Sequence, residues 1–114
     1  MSLANMLNAL SHPARMQIML HLAKYNGCQA GSISARLPLA KSTVSEHLNK
    51  LKEAGLISCT IDGTYTYYQI RDEGYKLLQR DFSDFLEIIE ERRAEPQKCC
   101  PVTKNQIKIK AETL

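Results

Sequence analysis

The chain has 114 residues, 44% hydrophobic and 24% charged, with a formal net charge of +3. That size suits one domain with a single modest core, and a charge this mild permits nucleic-acid binding without demanding it. No apolar run approaches the ~20 residues of a membrane-spanning helix, and residues 1–15 lack the basic start of a secretory signal, so a cytoplasmic protein is expected.

Leu3, Met6, Leu7 and Leu10 recur at helical spacing and predict a short first helix. Ser11-His12-Pro13 then punctuates the chain. Ser11 or His12 suits a helix cap, and Pro13 suits the first turn, where its missing N–H costs nothing. A second helix follows with Met16, Met19, Leu20 and Ala23 as its apolar face, and it stops near Asn26-Gly27. Residues 32–37 predict a third, short helix ended by Pro38, which also biases Leu37 away from helical geometry. Lys41-Ser42-Thr43 opens a fourth helix, with Ser42 and the nearby Ser45-Glu46 offering capping chemistry. Val44, Leu48 and Leu51 form its buried stripe, and Gly55 ends it. Residues 56–61 and 65–70 are strand-like and flank Asp62-Gly63, a type I′ hairpin signal.

The last helix is expected over residues 72–93. Leu77, Leu78, Phe82, Phe85, Leu86, Ile88 and Ile89 give it more apolar surface than a small domain covers alone. A homodimer is therefore expected, with Leu3, Leu7 and this helix at its interface. The organisation predicted is a mainly α winged helix-turn-helix with a small β-hairpin. Residues 1–95 form the DNA-binding and dimerisation domain, and residues 96–114 form a flexible basic tail carrying a cysteine pair. Residues 98–110 hold four lysines and no acid, so part of the excess charge lies outside the DNA-binding unit.

The order short helix, turn, amphipathic helix, hairpin points to DNA as the partner. Burying Val44, Leu48 and Leu51 turns Ser42, Thr43, Ser45, Glu46, His47 and Lys50 partly or wholly outward. A recognition helix needs that division. An apolar face holds it on the domain, and short polar and cationic groups meet base edges and phosphates. Thr64 in the hairpin turn completes the candidate DNA-binding set.

The segments LSHPARMQIMLHL (10–22), TVSEHLNKLKEAGLI (43–57) and DGTYTYYQI (62–70) resemble the ArsR/SmtB family of bacterial metalloregulatory repressors. The resemblance covers roughly residues 3–89. It implies a homodimeric winged helix whose terminal helices form the interface. It also implies binding to an imperfect inverted repeat in double-stranded DNA, with release when a metal ion, metalloid or other signal binds. On this alignment Ser42, Thr43, Ser45, His47 and Lys50 fall on the recognition helix. The wing departs from the pattern. Where relatives often carry arginines, this chain has Thr60, Ile61 and Thr64, which predicts weak phosphate contact there.

The sensor sites of the family are largely missing. At its Cys-x-Cys-x-x-Cys metalloid positions stand Gln29, Gly31 and Ser34, with Cys28 one residue out of register. The last helix has no histidine for a zinc-type site, and Leu20 replaces the second-helix cysteine of persulfide sensors. Adjacent Cys99 and Cys100 remain. Neighbouring Cα atoms lie ~3.8 Å apart, short of the usual disulfide range, so the pair is better suited to one shared soft centre. Lys98 and Lys104 favour their thiolates. The resemblance implies trivalent arsenic or antimony as effector: arsenite with a third sulfur, for which Cys28 is the candidate, or methylarsenite with two. Cys59, alternating with Ile57 and Ile61, reads as a small buried hydrophobe. Zinc ranks below arsenic, since His12, His21 and His47 all lie far from the pair in sequence; His21 reads as a surface residue and His12 as a helix-entry residue.

A thiol-dependent reductase is the enzymatic rival. The residues six after each cysteine are Ser34, Tyr65, Asn105 and Gln106 rather than arginine, and no Cys-x-x-Cys, Gly-rich loop or Ser/His/Asp signature occurs. No catalytic residue is expected. A redox-responsive repressor, with Cys99 or Cys100 joining Cys28 or a partner subunit's thiol, is the second alternative. A winged helix that binds only protein is the third.

Overall fold

The computed structural model describes residues 2–98 and residue 100. The elements run α1 (Leu3–Leu10), α2 (Pro13–Lys24), α3 (Ala30–Arg36), α4 (Lys41–Glu53), β1 (Ile57–Asp62), β2 (Tyr65–Ile70) and α5 (Asp72–Ala94). This is the mainly α winged helix-turn-helix expected from the chain.

Local chemistry sets the helix ends. Ser2 caps α1, its side chain accepting from the Asn5 N–H at 3.2 Å. His12 caps α2 with its ring, Nδ1 accepting from the Ala14 N–H at 3.1 Å, and Pro13 occupies the first turn. Pro38 stops α3, leaving Leu37 extended at φ −103°, ψ 136°. The α3 helix begins two residues earlier than expected. The capping expected of Ser42 does not occur: Ala40 stands at the N-cap of α4 without a side-chain bond, and Ser42 lies inside the first turn.

The core forms where the helices cross above the hairpin base. Met6 and Ala9 of α1, Ile18 and Leu22 of α2, Ile33 of α3 and Val44, Leu48 and Leu51 of α4 meet Leu56 and Ile57. A fully buried Leu or Ile contributes about 1.5–3 kcal/mol, so this cluster holds α4 on the domain. The predicted buried face of α2 requires correction. Ile18 and Leu22 are buried, whereas Met16 and Leu20 are 54% and 64% exposed. The helix carries apolar residues on two faces, and only packing against α4 and β2 selects between them.

The hairpin pairs Ile57 with Ile70 through Asp62 with Tyr65, leaving Gly63 and Thr64 as the two-residue loop. Gly63 sits at φ 63°, and among the described residues no non-glycine has positive φ. That sign pattern belongs to a type II′ turn, so the expected type I′ turn centred on Asp62-Gly63 is shifted by one residue. Cys28 adds a one-residue third strand on the other side of β2. Its N–H donates to the Tyr68 carbonyl at 3.0 Å and its carbonyl accepts from Tyr68 at 2.7 Å.

Gly74, in the first turn of α5, packs directly against Gly55, which ends the α4 turn at φ 82°. Beyond this contact α5 leaves the core. Leu77 and Leu78 still pack on it, but Tyr75, Phe82, Leu86 and Ile89 remain exposed. Leu7 and Leu10 of α1 and Tyr75, Leu78 and Phe82 of α5 line an apolar groove of about 340 Å³. Leu3, expected at an intersubunit face, is already 2% exposed within one protomer. Of the expected tail, Cys99 and residues 101–114 lie outside the described residues.

Candidate nucleic-acid interface

Helix α4 presents Ser42, Glu46, Asn49 and Lys50 on its exposed side, with Thr43 and Ser45 half-buried at its edges. Hydroxyls serve several bases, a carboxylate suits the cytosine amino group, and an exposed lysine suits phosphate. Lys41, the first residue of α4, shares a cleft of about 360 Å³ with Gln29, Ala30 and Gly31 at the start of α3 and with Thr64, Tyr65 and Thr66 of the hairpin. Thr64 is thus placed beside the start of the recognition helix.

Lys41, Asn49 and Tyr65 were not among the expected interface residues. Lys41 and Asn49 carry a polar-face signal that sequence spacing alone contains. Tyr65 becomes visible only once the hairpin register puts it, 56% exposed, beside the turn. The wing itself carries no cation between residues 56 and 70, and Ile61 is 73% exposed near its tip. Basic groups gather instead on the helices. Arg15 and Lys50 line a shallow polar concavity with Asn5, Asn8 and Glu53 at the other end of α4.

His47 does not face outward as expected. It is 9% exposed, and its Nδ1 accepts a hydrogen bond from Arg15 Nε at 3.2 Å. Its ring also stands 4.5 Å from that of His12. Burial chiefly, then His12 and Arg15, hold its pKa below the ordinary histidine value, against a smaller opposing pull from Glu46. His47 therefore packs behind the exposed face of α4 and does not stand on it.

Three of the cysteines lie among the described residues. Cys28 is half-buried rather than loop-accessible, with Sγ donating to the Tyr25 carbonyl at 2.9 Å. Burial pushes its pKa up, only partly offset by Arg36, which disfavours the thiolate a soft metalloid binds. Cys59 also pairs with Tyr68 and is half-buried, where a fully buried side chain was expected. Cys28 and Cys59 thus flank one residue of β2 on adjacent strands. Two strand spacings of ~4.8 Å put their Cα atoms beyond disulfide reach. Cys100 is exposed, and Cys99 lies outside the described residues. His21, expected on the surface, is half-buried against Tyr25, with Nε2 buried and lacking a hydrogen-bond partner. Among the described residues no group of three or more His, Cys, Asp or Glu side chains is arranged to hold a metal ion. Nor is any helix among them long and apolar enough to cross a membrane.

The profile of the bacterial regulatory protein arsR family matches residues 12–58, from the cap of α2 to the start of β1. The transcriptional repressor SdpR of Bacillus subtilis is 38% identical over 66 residues, which cover 58% of this chain and 72% of that protein. An ArsR-like transcriptional regulator from Rhodococcus sp. RHA1 superposes with a TM-score of 0.71 at 26% identity, over 81% of this chain and 86% of that one. A structure described as a possible transcriptional regulator for arsenical resistance gives 0.65 at 28% identity, over 71% and 83%. The profile spans α2, α3 and α4 as far as the start of β1, and the chain belongs to the ArsR family of helix-turn-helix transcriptional regulators.

Proposed function

We propose that the protein is a homodimeric, cytoplasmic transcriptional repressor. It binds an imperfect inverted repeat through α4 and is released when trivalent arsenic or antimony binds Cys99 and Cys100. The observation that carries the DNA reading is the exposed polar face of α4, held on the core by Val44, Leu48 and Leu51 beside the wing. Repression is the activity of the similar SdpR. The exposed apolar face of α5 supports dimerisation, and a dimer would present two α4 helices to half-sites about one helical turn apart.

The effector reading rests on two adjacent thiols following α5 and on the likeness to a possible regulator of arsenical resistance. The engaged, protonated state of Cys28 favours a two-sulfur site, and hence methylarsenite over arsenite. The same state disfavours Cys28 as a partner in an oxidative bridge. Closing a thiolate site beyond α5 needs to supply only ~1–3 kcal/mol of coupling to change operator affinity severalfold. Movement of α5 relative to its copy would change the spacing of the two α4 helices.

The test is fluorescence anisotropy on a labelled duplex from the DNA upstream of the protein's own coding sequence. Arsenite and methylarsenite are titrated into the complex. Release is expected, with Cys99→Ser and Cys100→Ser each abolishing it while leaving DNA binding intact. Full release of the double variant would remove these thiols from the sensor. Failure to bind any upstream fragment would favour a module that binds protein alone.

A further inference from the structure

Behind the exposed face of α4, Arg15, His12 and His47 form a cluster at the meeting of three helices. Arg15 on α2 donates through Nε to His47 Nδ1 on α4 and through Nη1 to the Ala9 carbonyl on α1, each at 3.2 Å. One guanidinium thus ties together three helices. His12, at the cap of α2, lies 4.5 Å from the His47 ring at an interplanar angle of 52°. The α4 helix adds Glu46 beside His47, while Lys50 and Glu53 line the concavity that Arg15 enters. The α1 sequence LANMLNAL contributes no titratable side chain.

The geometry points to an acid-sensitive latch: Arg15 and neutral His47 hold α4 in its DNA-reading position, and protonation of His47 releases it. The inference rests on the DNA-binding reading above. Accepting from Arg15 requires a lone pair on Nδ1, so the latched imidazole is neutral and carries its proton on Nε2. A proton added at Nδ1 removes the acceptor, points a donor at a guanidinium, and places a second cation beside it on a residue only 9% exposed. Little offsets these losses nearby: the adjacent ring is that of His12, and Glu46, which favours the charged ring, is exposed and outweighed by burial, His12 and Arg15.

The sign follows from the lowered pKa of His47. Above the ordinary histidine value of about 6.5, the ring is neutral whether α4 is latched or loose. As pH falls below that value the loose state takes up a proton that the latched state refuses, so latched stability is lost. DNA binding, which needs the latched state, should weaken over the same window. His47 is thereby a positioning residue for the recognition helix, acting through packing and not through contact with a base.

The test measures anisotropy on the same upstream duplex between about pH 8 and about pH 5.5 at fixed ionic strength. The wild type should lose about threefold to tenfold in affinity across the window. His47→Asn, which keeps an acceptor near the Nδ1 position but does not titrate, should bind with a flat profile. Should circular dichroism show that this variant does not fold, NMR titration of the wild-type imidazoles decides. The His47 pKa should then be lower with the duplex bound than without it. Equal affinity at both ends of the window, equal slopes for wild type and variant, or equal His47 pKa values free and bound would overturn the latch alone. Absence of binding at every pH would overturn the DNA reading, and the latch with it.

Discussion

Gly74 carries a steric constraint that no motif announces. A Cβ built there would lie 1.8 Å from the Gly55 carbonyl oxygen and 2.9 Å from its carbon, both backbone atoms that cannot rotate away. Alanine normally favours a helix interior by up to ~1 kcal/mol over glycine. Here the clash should win. Gly74→Ala is expected to destabilise the fold by about 1–3 kcal/mol, as overpacking does, and to lower the melting temperature accordingly. An unchanged thermal unfolding midpoint would show that α5 can shift off the α4 turn without cost. His47 makes a similar point for polar residues. Sequence spacing sets it among the outward-facing groups of the recognition helix, but Arg15, distant in sequence, supplies a partner that turns it inward.

The division of labour between α4 and the wing follows from their charge. With no cation on the hairpin and with Lys41 and Lys50 exposed on the helix, the proposed DNA binding is expected to draw its phosphate contacts mainly from α4. Lys50→Ala should weaken binding to matched and unrelated duplexes alike and reduce the salt slope by about 1 per bound subunit. Gel-shift titration over a salt series measures both quantities, and unchanged affinity would remove Lys50 from the interface. Element types were legible from periodicity, and most boundaries from Pro13, Pro38 and Gly55. The faces of α2 were less legible. Met16-Met19-Leu20-Ala23 and Ile18-Leu22 are both legitimate apolar stripes, and the choice depends on neighbours that the local sequence does not name.

The long α5 sets the character of the whole molecule. Phe82, Leu86 and Ile89 remain 38%, 46% and 37% exposed after the protomer has folded, beside the groove bounded by Leu7 and Leu10. Such apolar surface suits the second copy proposed above. Replacing both Phe82 and Leu86 by Ser should leave the protomer folded, since neither is in the core. It should yield a monomer by analytical ultracentrifugation and lower affinity for a two-half-site duplex by about 10²-fold or more, because the second half-site no longer binds as part of one unit. A dimer that persists would place the interface elsewhere.

The chain by itself determined the element order, the amphipathic α4 and the family, because period, punctuation and block pattern are local properties of neighbouring residues. It also singled out the adjacent cysteines. Which face of α2 is buried, the inward turn of His47, the engagement of Cys28 with β2 and the Gly55–Gly74 contact were decided only by the tertiary structure. Each depends on a partner many residues away, and no local periodicity encodes the energy of a contact that exists only after the helices have packed.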